Sequence, residues 1–232
     1  LNALTYLGTS AYDQAYILEI DSDNDIYVTG QTKGAYPVIG SGVYSNPNSA
    51  QFIHKMDPAL TTTAFSTVFG SGSSTVNISI TAFLVDKCEN LYVAGWGGLT
   101  NNEGFTNGMP ITNNAIQTST DGSDFYFIVL ERDAQNFLYG THFGSTGAAE
   151  HVDGGTSRFD KQGTIYQGVC AGCGGNSFPT STGAYSSTNG STNCNYGGIK
   201  ISLDFQGVIA NADNPGDITL CSSPYIVNLS AG

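Results

Sequence analysis

One short pattern recurs along the chain: an apolar strand segment, an Asp, a few turn-forming residues, an aromatic strand segment and a Gly. Its clearest copy runs from Ala15 to Gly30, with the turn residues Ser22-Asp-Asn-Asp25 between the two strand segments. Asp and Asn tolerate the positive φ that tight turns require, so the pattern predicts a β-hairpin. It returns around Asp86 and, more degraded, around Asp160. Such a repeat predicts a row of similar structural units.

Each hairpin pattern begins a longer unit with four strand segments. The units span about 12–70, 77–144 and 150–210. The strand candidates are Ala15–Asp21, Ile26–Gln31, Gln51–Asp57 and Thr63–Phe69, then Ser79–Asp86, Leu91–Trp96, Phe125–Arg132 and Phe137–Phe143, then His151–Asp160, Ile165–Val169, Gly198–Asp204 and Gln206–Ala210. Four antiparallel strands per unit predict blades of a β-propeller. The expected fold class is therefore all-β, a partial propeller built from four-stranded antiparallel repeats.

The two ends of the chain fit this repeat differently. Residues 4–8 match the ends of the first two units, so residues 1–210 are expected to hold the closing strand of a preceding blade and three blades. The register stops after Ala210. Residues 211–217 contain Pro215-Gly216 and are expected to be a linker, and residues 218–232 are expected to begin a separate immunoglobulin-like module. We therefore expect the chain to be a piece of a longer protein.

Composition narrows the possible partners and the location. The formal net charge is −12 and only 7 residues are Lys or Arg, which disfavours nucleic acid because phosphate binding needs clustered cations. No apolar run is long enough for membrane insertion as a helix. Five cysteines in so polar a chain indicate an exported protein, extracellular or on the cell surface.

Several segments resemble a known family. Tyr6-Leu-Gly8, Asp21 with Ile26–Thr32, Phe52–Pro58 and Phe178-Pro-Thr180 resemble the bacterial SBBP β-propeller repeat. The segment from Cys170 to Asn195 resembles a narrower variant of very large Bacteroidetes surface proteins, in which PKD-type modules and a gliding-type, type IX secretion sorting domain follow the propeller. Residues 221–232 are similar to the first strand of a PKD-type module. In the second unit, the insertion Gly97–Asn107 departs from the family pattern.

The resemblance implies a non-catalytic structural or interaction module of a secreted or cell-surface protein, such as an adhesin, a filament or a matrix component. Its expected partners are other domains of the same long chain, with a surface polysaccharide or another surface protein as further candidates. The alternative is a carbohydrate-active hydrolase or lyase with its site at the mouth of the propeller channel.

The first strand of each blade lines that channel, so its polar residues are the candidates for ligand binding. They are His151, Asp153, Arg158 and Glu19. A His and an Asp can act as a base and its orienting group. A glycosidase needs carboxylates converging from several blades, whereas only the third unit has a polar first strand. A water-filled polar patch without catalysis is therefore favoured, and no catalytic residue is assigned.

One cation site is considered at the first hairpin turn. Asp21, Asp23 and Asp25 alternate as in a Ca²⁺-binding loop. However, Ile26 stands where such a loop has Gly, and the other two turns lack the acids. A plain hairpin turn is the favoured interpretation, Ca²⁺ is the one cofactor considered, and otherwise none is expected.

Three cysteines of the third unit suggest two kinds of chemistry. Cys170, Cys173 and Cys194 could ligate Zn²⁺, but no His lies near them in sequence. A disulfide is favoured in an exported protein, with Cys194 bonded to Cys170 or Cys173 and the latter preferred. Cys88 lies in a turn expected on the opposite face of the ring. The length of a strand separates the two faces, which is farther than a disulfide can reach, so Cys88 should not pair with these three. The partners of Cys88 and Cys221 are left open.

Overall fold

A computed structural model describes residues 2–98, 104–153, 156–203, 205, 209–210 and 218–219. The strands are β1 Asp13–Ile20, β2 Ile26–Thr32, β3 Gln51–Met56, β4 Thr63–Phe69, β5 Ser79–Val85, β6 Leu91–Trp96, β7 Phe125–Leu130, β8 Phe137–Phe143, β9 Ala149–His151, β10 Ser157–Phe159, β11 Thr164–Cys173, β12 Asn195–Ser202, β13 Ile209–Ala210 and β14 Ile218–Thr219. Within these residues the only helix is a 3-10 turn, Arg132–Ala134, and no helix is long and apolar enough to cross a membrane.

Twelve of these fourteen strands form three four-stranded sheets, all antiparallel. The first sheet has the order β1-β2-β3-β4 and the second has β5-β6-β7-β8. In the third sheet, β10-β11-β12 follow one another and β9 also pairs with β11. The all-β class and the four-stranded antiparallel repeats are thereby confirmed.

The third unit departs from the predicted strands at both ends. Instead of one first strand over His151–Asp160, it has the two short strands β9 and β10. The two described residues of the predicted fourth strand, Ile209 and Ala210, pair with Ile218–Thr219 in a separate two-stranded sheet. Residues 211–217 and 220–232 lie outside the described residues, so the linker and the immunoglobulin-like module stay predictions.

The first strands of successive sheets contact one another, β1 with β5 and β5 with β10. Two apolar cores fill the spaces between the sheets. One joins the first and second sheets through side chains such as Tyr27, Phe65, Ile80 and Leu91. The other joins the second and third sheets through Tyr92, Phe127, Ile165 and Ile199, among others. The second sheet is therefore buried on both faces, which explains the nearly continuous apolar sequence of β6 and β7.

The first sheet is different, because the face of β1 turned away from the second sheet is open. Leu18 and Ile20 are exposed there, whereas Ile17 on the opposite face packs into the first core. Residues 4–8 form no strand, and Tyr6 is fully exposed. Their assignment as the closing strand of a preceding blade stays a prediction.

Candidate functional site

The repeated Asp organises the turn between the first two strands of every unit. One carboxylate oxygen of Asp21 accepts hydrogen bonds from the backbone N–H groups of Asp23 and Asp25. Asp86 and Asp160 likewise accept hydrogen bonds from the backbone N–H groups of the residues two and four positions after them. The third residue after each Asp has positive φ, 66° at Asn24, 62° at Glu89 and 81° at Gly163. The favoured hairpin interpretation accounts for these contacts without a metal ion.

Two of the three carboxylates considered for Ca²⁺, those of Asp21 and Asp25, contact a lysine. The Lys55 ammonium lies 3.2 Å from Asp21 and 3.3 Å from Asp25, both in the first sheet's turn. It also lies 3.2 Å from Glu89 and 3.7 Å from Asp133, which follow strands of the second sheet. Burial opposes the charge of Lys55, but the hydrogen bond with Tyr27 and the carboxylates outweigh it, so the pKa of Lys55 lies above its usual value. A Ca²⁺ ion would have to share these oxygens with the ammonium group.

This lysine also lies 4.9 Å from the centre of the Tyr27 ring, its cross-strand neighbour. The Tyr27 hydroxyl has two acceptors for its one proton, an Asp21 carboxylate oxygen at 3.1 Å and a Glu89 carboxylate oxygen at 3.3 Å. Tyr27 is completely buried and Lys55 is only 6% exposed, because the second sheet covers both. The group Tyr27, Lys55 and Glu89 is called the lysine cluster below.

The third sheet repeats half of the lysine cluster on its outer face, the face turned away from the second sheet. Lys200 lies opposite Tyr166, as Lys55 lies opposite Tyr27, and its ammonium is 5.4 Å from the Tyr166 ring centre. Tyr166 is 40% exposed and Lys200 is exposed too. Tyr166 also lines a shallow, solvent-open surface, where Arg158, Tyr166 and Tyr196 surround Gly168 and Gly198.

The structure brings together only part of the predicted ligand-binding set. His151 ends β9, and its Nε2 lies 3.4 Å from an Asp153 carboxylate oxygen. Arg158 lies on β10 of the same sheet, where it lines the surface beside Tyr166. Glu19 lies on β1 in the first sheet, where partial burial raises its pKa.

The cysteines lie beside His151, which the sequence did not indicate. β11 is longer than predicted, so Cys170 and Cys173 are strand residues, and Cys170 pairs with His151 across the ladder. Cys173 forms a disulfide with Cys194, the preferred one of the two predicted partners. The Cys173 sulfur is 3.9 Å from His151 Nδ1, while the free Cys170 thiol lies 3.3 Å from Asp153. Cys88 is disulfide-bonded too, to none of these three, as predicted.

A pair of buried carboxyl groups at the junction of the second and third sheets was missed as well. A Cβ on Gly144 would stand 2.0 Å from Asp124 Oδ1 and 2.6 Å from Glu150 Oε2, so both carboxyls approach the same point. Burial raises the pKa of Asp124 to about 6 and, together with the charge of Asp124, that of Glu150 to about 7. Glu150 accepts hydrogen bonds from the backbone N–H groups of Ser145 and Gly172.

The sequence does hold a signal for Glu150. A Gly followed by Thr or Ser stands before each of the three units. The backbone N–H of that Thr or Ser donates to the side chain of an Asp, Asn or Glu a few residues later. The three pairs are Thr9 with Asp13, Ser71 with Asn77, and Ser145 with Glu150. The repeated bond indicates that Glu150 connects successive units.

No protein-family model matches the chain, and no curated protein matches its sequence. The resemblance to the SBBP repeat therefore stays a prediction based on the residues quoted for it.

Proposed function

We propose that the chain is a non-catalytic structural and interaction module of a β-propeller-like assembly in a secreted or cell-surface protein. Its interaction surface is the outer face of the third sheet, which takes a further β-sheet unit that brings carboxylates to Lys200. The observation that carries this proposal is the repetition of Tyr27 and Lys55 by Tyr166 and Lys200.

In the first sheet the same pair is covered by the next unit. The second sheet supplies the Glu89 and Asp133 carboxylates to Lys55 and buries the Tyr27 ring completely. A charged amine beside an aromatic ring gains most from an ion pair when both are removed from water. Tyr166 and Lys200 present the same chemistry, and no further unit covers them among the residues that the structure describes, so the matching partner is another sheet with acidic turns.

The propeller arrangement is supported by which strands touch. β1 contacts β5 and β5 contacts β10, so the first strands of the units are neighbours. A radial array of four-stranded sheets places first strands next to one another at its centre. The Cys173–Cys194 disulfide is compatible with an oxidising, extracellular location.

The buried carboxyl pair favours a structural role over a glycosidase role. Asp124 and Glu150 are both completely buried, and Glu150 accepts two backbone N–H groups. A glycosidase needs its two carboxyls to reach the scissile bond of a sugar, and groups without solvent contact do not reach one. Their position at a sheet junction suits a link between units.

The covering sheet has two sources, a second copy of this chain or another unit of a longer chain. A second copy predicts concentration-dependent association in sedimentation experiments. Lys200→Glu should abolish it, because the reversed charge repels the acidic turns. Lys87→Glu is the matched control, since Lys87 is exposed on the turn between β5 and β6.

A unit of a longer chain predicts a different result. This chain then stays monomeric with Tyr166 open to acylation, whereas Tyr166 is protected in the longer chain. Mass spectrometry of the labelled peptides distinguishes the two. The proposal fails if Tyr166 reacts equally in both chains without association, or if only an added anionic polysaccharide protects it.

A further inference from the structure

Two groups of side chains among the described residues bring three metal-ligating atoms within 4.8 Å of one another, and both include His151. One group is His151 with Cys173 and Cys194, whose sulfurs are bonded to each other in a disulfide and are therefore not available to a metal ion. The other is His151 with Asp153 and Cys170, whose thiol is free. Only the second group offers three available ligands in the oxidised protein.

Two of the three distances between ligand atoms in this second group match the edges of a zinc tetrahedron, and all three lie within 4.8 Å. Asp153 Oδ2 is 3.4 Å from His151 Nε2 and 3.3 Å from Cys170 Sγ. Zn²⁺ binds N and O ligands at about 2.0–2.2 Å and thiolate at about 2.3 Å, so neighbouring ligand atoms of a tetrahedral site lie about 3.3–3.6 Å apart. Both atom pairs therefore stand close to the edge length that the ion requires, without a change of backbone.

We propose that His151 Nε2, Asp153 Oδ2 and Cys170 Sγ form a Zn²⁺ site with an open fourth position. An imidazole, a carboxylate and a thiolate together select zinc over the hard cations Ca²⁺ and Mg²⁺. On binding, the Cys170 thiol releases its proton to solvent and the sulfur bonds to the metal.

The surroundings of the three ligands suit such a site. His151 and Cys170 are cross-strand neighbours on β9 and β11, so a ladder fixes their separation. The other imidazole nitrogen, Nδ1, faces the Cys173 sulfur at 3.9 Å, which leaves Nε2 directed at Asp153. The Asp153 side chain is 78% exposed, which provides an entry path and room for water at the fourth position.

The test is a zinc titration of the oxidised chain against a chromophoric chelator. We expect one bound Zn²⁺ per chain, with the affinity reduced more than about 100-fold by Cys170→Ser and at least about tenfold by Asp153→Asn, since loss of an outer partner alone costs about 10–100-fold. Asp23→Asn is the matched control, an exposed acid on another turn, and should bind zinc like the wild type.

Trp96 gives an independent readout. It is the only Trp of the chain, and its ring centre lies 5.8 Å from that of His151. Co²⁺ at the site should quench its emission in the wild type and in Asp23→Asn, but not in Cys170→Ser. Equal emission of the metal-free proteins shows that Cys170→Ser is folded.

Three results would overturn the proposal. The first is that the oxidised wild type binds no zinc. The second is that Cys170→Ser and Asp153→Asn bind zinc as tightly as the wild type. The third is that binding appears only after reduction and is lost in the Cys173→Ser, Cys194→Ser double variant, which would assign the metal to the other group.

Discussion

Lys55 of the first sheet and Glu89 of the second form an ion pair of 3.2 Å between two largely buried side chains. It links the first and second sheets beside the apolar core that they share, to which Tyr27 of the lysine cluster belongs. A buried pair of this kind is less screened by salt than a surface pair, and removing one partner leaves the other charge poorly compensated.

Glu89→Gln should therefore lower the free energy of unfolding by about 1.5–3 kcal/mol. The loss is limited because Lys55 keeps the Asp21 and Asp25 carboxylates. Urea unfolding at neutral pH measures it. Asp23→Asn, an exposed acid in the neighbouring turn, should change the free energy by less than about 0.5 kcal/mol. Equal effects of the two substitutions would contradict a linking role for the lysine cluster.

The buried carboxyl pair predicts a pH dependence. The pKa values of Asp124, about 6, and Glu150, about 7, lie above those of an unfolded chain. The folded state then binds more protons than the unfolded state between about pH 4 and 7, so the pair's contribution to the free energy of unfolding falls as pH rises through this range.

Asp124→Asn should reduce that fall, and its free energy of unfolding at pH 8 should exceed that of the wild type by about 1–2 kcal/mol. The amide keeps an oxygen for the Thr120 hydroxyl and no longer repels Glu150. Unfolding at pH 5 and pH 8 measures the difference. His142, whose pKa burial lowers to about 4, titrates with the opposite sign but is present in both proteins. An unchanged pH dependence in the variant would exclude coupling between the two carboxyls.

The hairpins were predictable because their signals are local. In the second unit, the apolar segments around Asp86 predict β6 as Leu91–Trp96, which are its observed bounds. The Asp side chain itself closes the turn, so the turn forms without contacts to distant parts of the chain. The extension of β11 was not predictable in this way, since Gly172 and the cysteine spacing suggest a loop, and pairing with β9 and β12 extends the strand.

The candidate sites depended on contacts across the fold. Cys170 and His151 meet only because β9 pairs with β11 in that register, and no residue spacing along the chain predicts this contact. The same holds for Glu89, which is a turn residue in sequence and becomes the partner of Lys55 once the sheets stack. Glu150 was recoverable, because Asp13 and Asn77 hold equivalent positions after Gly8 and Gly70.

The turn Asp predicts a test that separates hydrogen bonding from charge. Asp160 Oδ1 accepts the backbone N–H groups of Gln162 and Thr164, at 3.0 and 2.9 Å. Asp160→Ala should cost about 1–2 kcal/mol of unfolding free energy, whereas Asp160→Asn, which keeps an accepting oxygen, should cost less than about 0.5 kcal/mol. Thermal or urea unfolding measures both. A large cost for the Asn variant would mean that the charge of the carboxylate, rather than its hydrogen bonds, stabilises the turn.

The disulfide and Asn189 both hold the loop between β11 and β12, and they are expected to do so independently. The Asn189 amide nitrogen donates to the carbonyls of Gly172, Gly175 and Asn193, at 2.8–3.1 Å, so it fastens both ends of the loop in the folded state. The disulfide closes a loop with a sequence separation of 21 and acts mainly by restricting the unfolded chain, contributing about 3 kcal/mol.

A double-mutant cycle can test this independence. The Cys173→Ser, Cys194→Ser variant should lose about 3 kcal/mol of unfolding free energy, and Asn189→Ala should lose about 1–2 kcal/mol. Because one acts on the unfolded state and the other on the folded state, the two losses should add to within about 0.5 kcal/mol, even though the groups are close together. Urea unfolding of the four proteins under non-reducing conditions measures the coupling. A coupling energy above about 1 kcal/mol would mean that the disulfide positions the folded loop for Asn189, and that restriction of the unfolded chain is not its main effect.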